Sequence, residues 1–68
     1  MVITLNNREE IIENKTEITI QELLDYKAYS FKMLVIKING TLIPRDEYGS
    51  TIIRDNDNVT VLHLMSGG

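Results

Sequence analysis

Hydrophobic and polar positions alternate from Met1 to Asn6, with Met1, Ile3 and Leu5 on one side and Val2, Thr4 and Asn6 on the other. That is the period of a strand with one buried face. "NNRE" supplies a turn and "EEIIE" a returning strand. The period then lengthens. In "TIQELLDYK", Ile20, Leu23, Leu24 and Lys27 recur at helical intervals, and Thr19 and Glu22 have the spacing of a capping box. A helix of about ten residues is predicted here, with Ile20, Leu23 and Leu24 facing the core.

Alternation returns in "MLVIKINGTLI", where Leu34, Ile36 and Ile38 share one face and Val35 and Lys37 the other. Asn39-Gly40 offers the two positive-φ positions of a tight hairpin. "TLI" is the short return strand, stopped by Pro44, which has no N–H for a ladder. Asp46 is placed to cap a single helical turn through Glu47 and Tyr48. Asp55-Asn56-Asp57-Asn58 reads as a turn, since Asn and Asp bond their own backbone and tolerate left-handed dihedrals. "VTVLHL" follows as a last strand. The predicted order is strand, strand, helix, strand, short strand, strand: an α+β roll in which a mixed sheet of five strands wraps around one main helix.

Length and charge narrow what such a roll can do. With 68 residues there is one small core and no room for a large enclosed active site. No apolar run approaches the roughly 18 to 20 residues that cross a bilayer, and no basic segment precedes a long apolar one at the start. The expected setting is therefore cytoplasmic, with no membrane partner. Ten acids against seven scattered bases give a net charge of −3. Nucleic acid, which demands a clustered basic face, is not an expected partner; a basic-faced protein suits the chain better.

Side-chain chemistry is sparse. The absence of cysteine excludes disulfides, thiolate nucleophiles and cysteine-based metal sites. His63, the single histidine, falls within a strand pattern and reads as structural, and one histidine does not make a metal site. Asp55 and Asp57 lack the ligand count and closing glutamate of a calcium loop. Tyr26, Tyr29 and Tyr48 are spaced too irregularly for a base-stacking platform and read as packing residues. The Asn-x-Ser/Thr triplets at Asn14, Asn39 and Asn58 are taken as turns rather than glycosylation sites. No catalytic side chain and no metal ligand set is therefore predicted.

What remains is the end of the sequence, "HLMSGG". At ordinary glycine usage a terminal Gly-Gly arises by chance in about one chain in 200, so the pair carries weight only in context. If Gly68 is the last residue, its α-carboxylate is ionised at neutral pH. Such a carboxylate can attack the α-phosphate of ATP to give an acyl adenylate that a sulfur or nitrogen nucleophile displaces. Gly67 and the small Ser66 would let the backbone thread a partner's narrow active site. On this reading residues 1–64 form the domain and 65–68 a flexible tail.

Residues 38 to 68, "INGTLIPRDEYGSTIIRDNDNVTVLHLMSGG", resemble the C-terminal half of the ThiS family of thiamine-biosynthesis sulfur carriers. The resemblance runs through Asn39, Pro44-Arg45, Tyr48, Thr51, the acidic turn Asp55 to Asp57, the strand Val59 to Leu64 and Gly67-Gly68. The short N-terminal hairpin and the "TIQELL" helix agree more loosely, so nearly the whole chain is covered. The resemblance implies a ubiquitin-like β-grasp fold. It implies that an E1-like adenylating enzyme of the ThiF type activates Gly68 with ATP, the chain itself binding no cofactor. It further implies that a sulfurtransferase or cysteine desulfurase converts the adenylate to a thiocarboxylate, and that a thiazole synthase of the ThiG type takes the sulfur. The chain is then a co-substrate, not an enzyme, and is expected to be a monomer when free. Two departures stand out: Asn56 replaces the glycine of a usual Asp-Gly-Asp turn, and Ser66 stands where glycine or alanine is frequent.

If Val59 and Val61 face the helix, Thr60, Leu62 and Leu64 face outward, and the two leucines beside the tail make a docking patch; a twist or bulge would bury one of them. The other readings are a β-grasp carrier for molybdopterin or another sulfur-containing metabolite, a protein modifier joined to lysines through Gly68, and a plain interaction domain.

Overall fold

Two tight turns set the registers of the sheet. Asn6 and Asn7 both have positive φ (51° and 67°), and they join β1 (Val2–Leu5) to β2 (Arg8–Ile11) so that Leu5 faces Arg8. Asn39 and Gly40 (φ 50° and 86°) do the same between β4 (Leu34–Ile38) and β5 (Thr41–Ile43), bringing Ile38 opposite Thr41. A two-residue loop with both φ values positive matches the twist of the strands that it connects. Because the first turn uses only Asn6 and Asn7, β2 begins at Arg8, one residue before the predicted "EEIIE".

The computed structural model describes residues 1–29 and 34–63. Between the hairpins lie β3 (Glu17–Thr19) and α1 (Ile20–Tyr26). After them come a 3-10 turn (Arg45–Glu47), β6 (Ile52–Arg54) and β7 (Asn58–His63). The main sheet has the order β2-β1-β7-β4-β5, with β7 parallel to β1 and antiparallel to β4. The fold is thus the predicted mixed five-stranded sheet with one helix. A second, two-stranded sheet, β3 against β6, was not predicted; it pairs Glu17 with Arg54, Ile18 with Ile53 and Thr19 with Ile52. Among the described residues no helix is long and apolar enough to cross a membrane.

The helix forms where the spacing placed it. Thr19 accepts a hydrogen bond from the Glu22 backbone N–H (3.0 Å), and Glu22 Oε1 accepts one from the Thr19 N–H (2.9 Å), completing the capping box. Ile20, Leu23 and Leu24 are buried. The helix is seven residues long rather than about ten, because the chain leaves it at Ala28, whose φ is +57°. The Tyr29 N–H donates to the Leu24 carbonyl (2.8 Å) and the Ala28 N–H to that of Asp25 (3.1 Å), the two bonds of a Schellman ending.

One core joins both sheets to the helix. Ile3, Leu5, Ile36, Val59 and Val61 come from the main sheet, Ile18 and Ile53 from the small one, and Ile20, Leu23 and Leu24 from α1, together with Ile12 and Tyr48. Leu34 and Ile38 are partly buried against it, so all three residues predicted to share a face of β4 do so. Asp46 does not cap the turn after Pro44. The 3-10 turn starts two residues earlier, at Arg45, where Pro44 (φ −70°, ψ 155°) stands at the N-cap and no side-chain oxygen caps it. The fixed φ of proline suits it to a helix start, which leaves Asp46 inside the turn.

Candidate functional site

Strand β7 carries the residues that lead toward the end of the chain, and its alternation decides what each presents. Val59 and Val61 are buried against the helix side. Leu62 points away from the core and keeps 49% of its surface exposed. Opposite Leu62 on β4 is Val35, and opposite Thr60 is Lys37. Lys37 in turn faces Leu42 of β5, which is 60% exposed. The outer face of the sheet therefore presents Leu62, Val35 and Leu42 around the Lys37 side chain, an apolar patch with one cation in it. Leu42 was not singled out in the sequence; the two-residue turn at Asn39-Gly40 fixes the register that brings it there, and that turn was legible.

Leu64, the second leucine of the predicted patch, and the tail residues Ser66, Gly67 and Gly68 lie outside the described residues. His63 closes β7 with an exposed side chain. Among the described residues no group of three or more His, Cys, Asp or Glu side chains is placed to hold a metal ion.

Asparagine and aspartate side chains hold β7 in position. Asn6 donates from Nδ2 to the Val61 carbonyl (3.1 Å) and accepts from the Val61 N–H at Oδ1 (2.8 Å). Its carboxamide takes the place of a further β1 peptide where β1 has already ended, so Val61 keeps both partners. At the other end of β7, Asn39 Oδ1 accepts from the Asn58 N–H (2.9 Å) and Asn39 Nδ2 donates to Asp57 Oδ1 (3.1 Å). Asp57 Oδ2 accepts from the Arg54 N–H (2.9 Å), and Asp55 Oδ1 from the Val2 N–H (2.6 Å). The acidic turn is thus a clasp between strands, with Asp55 Oδ1 and both oxygens of Asp57 accepting from backbone and amide donors. Asn56 has a φ of +71°, the conformation for which glycine is the usual choice at this point of the turn.

Of the three tyrosines, Tyr48 is buried and Tyr29 packs partly against the core, as expected of packing residues. Tyr26 stands out at 58% exposure on the helix side of the molecule. There the carboxyl of Glu22 is held below its ordinary value of 4.5, first by the backbone hydrogen bond from Thr19, then by the Thr19 side chain and the charge of Lys15. Lys27 Nζ lies 3.0 Å from Glu10 Oε1, and that hydrogen bond raises the ammonium above its ordinary 10.5.

Comparison with known proteins agrees with this architecture along its whole length. A crystal structure of the thiamine biosynthesis protein ThiS from Geobacter metallireducens superposes with a TM-score of 0.87 at 26% identity, covering 100% of both chains. A solution structure of a thiamine biosynthesis protein from the same organism gives 0.83 at 25% identity, over 100% of this chain and 88% of that one. Among curated relatives, the uncharacterized protein ycf40 of Porphyra purpurea is 35% identical over 51 residues, which is 75% of this chain and 72% of that protein. The ycf40 protein of Pyropia yezoensis is 29% identical over the same shares. The ThiS family model matches residues 2–68, from the first strand through Gly67-Gly68. With sheet order, helix and sequence in agreement, the chain belongs to the ThiS family.

Proposed function

We propose that this protein is a sulfur carrier of thiamine biosynthesis whose reactive group is the α-carboxylate of Gly68. The observation that carries the proposal is the family match running through residue 68, in a chain without cysteine. A carboxylate oxygen attacks the α-phosphorus of ATP in the active site of an E1-like enzyme, pyrophosphate leaves, and an acyl adenylate forms. The outer sulfur of a persulfide on a sulfurtransferase or cysteine desulfurase then attacks the acyl carbon and AMP leaves, and a partner's thiol cleaves the S–S bond of the acyl disulfide so formed, releasing the thiocarboxylate and leaving a disulfide behind. The resulting thiocarboxylate donates its sulfur to a thiazole synthase. Every bond-making group except the carboxylate comes from a partner, which accords with the sparse side-chain chemistry of the domain. Gly67 and Ser66 thread the partner's channel, and the patch around Leu62, extended by Leu64, docks the activating enzyme.

Intact-mass measurement of the protein purified from its own host tests this. A fraction in which one terminal oxygen has been replaced by sulfur is expected. Unmodified protein accompanied by lysine conjugates would assign the chain to protein modification instead. Deleting Gly68 is expected to abolish ATP–pyrophosphate exchange with the cognate activating enzyme while the fold persists, and unchanged exchange would exclude a role for the tail.

A further inference from the structure

The helix side carries a second surface that the sulfur-carrier reading does not use. A groove of about 390 Å³ opens between α1, β3 and the loop after β2, lined by Ile12, Lys15, Ile18, Glu22, Asp25 and Tyr26. Ile12 and Ile18 form an apolar floor and the exposed Tyr26 ring one wall, while Glu22 and Asp25 put two carboxylates beside them. Glu22 uses Oε1 for the Thr19 N–H, and Asp25 uses Oδ1 for Gln21 Nε2 (3.1 Å). Each carboxylate has a second oxygen for an incoming donor.

Charge selects what can enter. Residues 1–29 hold six carboxylates against three bases, so the whole formal charge of −3 lies in the part of the chain that builds the groove. Nucleotides and other anions are repelled, and a second acidic groove is no complement to this one. A long cationic side chain fits each wall: its methylene stem lies on Ile12 and Ile18, its head meets the carboxylates, and the Tyr26 face adds a cation–π contact. A guanidinium matches paired carboxylates better than an ammonium because its donors form a planar fork. Lys15 already answers the same attraction. Its charge helps hold Glu22 ionised, yet no ion pair between them closes among the described residues.

We propose that this groove is a docking site for an arginine-bearing segment of a partner protein, separate from the sheet face around Leu62. Its lining falls within residues 12–26 and shares no residue with the face around Leu62.

The probe is the peptide acetyl-Leu-Arg-Leu-amide, titrated into the full chain and followed by amide chemical shifts, with the citrulline peptide as its uncharged isostere. Shifts centred on Ile12, Ile18, Glu22, Asp25 and Tyr26 are expected, with the citrulline peptide binding about fivefold more weakly. The Glu22→Gln/Asp25→Asn variant is expected to lose the arginine preference, since glutamine at this position preserves the capping box while removing the charge. Lys15→Gln removes the competing cation and is expected to tighten binding. Equal affinity for the two peptides, or shifts centred on the Leu62 face, would overturn the proposal. So would shifts at the groove that grow with protein concentration in the absence of peptide, because a second copy would then be its occupant. If the double variant loses stability, the citrulline comparison on the native chain still decides.

Discussion

Asparagine does in this protein much of what glycine does elsewhere. Among the described residues, five of the six non-glycine residues with positive φ are Asn6, Asn7, Asn14, Asn39 and Asn56, in a chain with only four glycines. The preference has a second cause at Asn6 and Asn39, whose carboxamides also bond the backbone of β7. Asn6 separates the two roles. Asn6→Gly keeps the dihedral freedom and removes both bonds to Val61, and a loss of about 1–3 kcal/mol is expected from two partly buried hydrogen bonds. Asn6→Ala removes the bonds and also forces an alanine into the left-handed region, which adds about 1–2 kcal/mol. Urea unfolding with an unchanged slope is the measurement. Equal midpoints for the two variants would show that backbone strain contributes nothing there.

At the scale of elements, α1 has a well-formed start and a strained end. Its capping box is complete, but the Schellman ending places Ala28 at φ +57°, where a Cβ is unfavourable. Ala28→Gly relieves the strain, offset in part by the greater freedom of glycine in the unfolded chain. A net gain of about 0.5–1 kcal/mol is expected, read as a rise of about 3–6 °C in the thermal midpoint for a domain this small. Most of the elements were legible because their signals are local: alternation for β1, β4 and β7, paired turn residues for both hairpins, and Thr19 with Glu22 for the helix. The strands β3 and β6 were not. Three residues each, "EIT" and "IIR", are too short to show a period, and they become strands only by pairing with each other across more than thirty positions of sequence. The helix-side groove was not legible either: its lining falls within residues 12–26, but it opens only through the way the loop after β2 packs beside β3 and α1, which no local period records. On the sheet face, the outward direction of Leu62 followed from the burial of its neighbours Val59 and Val61, whereas Leu42 needed the register of the hairpin.

For the whole molecule, two surfaces stand apart: an apolar patch of Leu62, Val35 and Leu42 around Lys37 on the outer face of the sheet, and an acidic groove on the helix side. Leu62→Glu tests the first. It is expected to change stability by no more than about 0.5 kcal/mol, as exposed positions usually do, and to weaken binding to the cognate activating enzyme at least about tenfold, as for a docking anchor. Collapse of the melting transition would instead make Leu62 part of the core. The position of β7 has a further consequence for how the protein comes into being. Among the described residues β7 is the last strand to be synthesised, and it is the middle strand of the main sheet, lying between β1 and β4. Until residues 58–63 have left the ribosome, the nascent chain holds two hairpins whose inner edges have nothing to join them. Folding must therefore wait for the strand that leads into Gly67-Gly68, so a partner that recognises the finished sheet face meets only chains whose synthesis has passed that strand. The face around Leu62 is therefore complete only in chains in which β7 has been made and has joined the two hairpins.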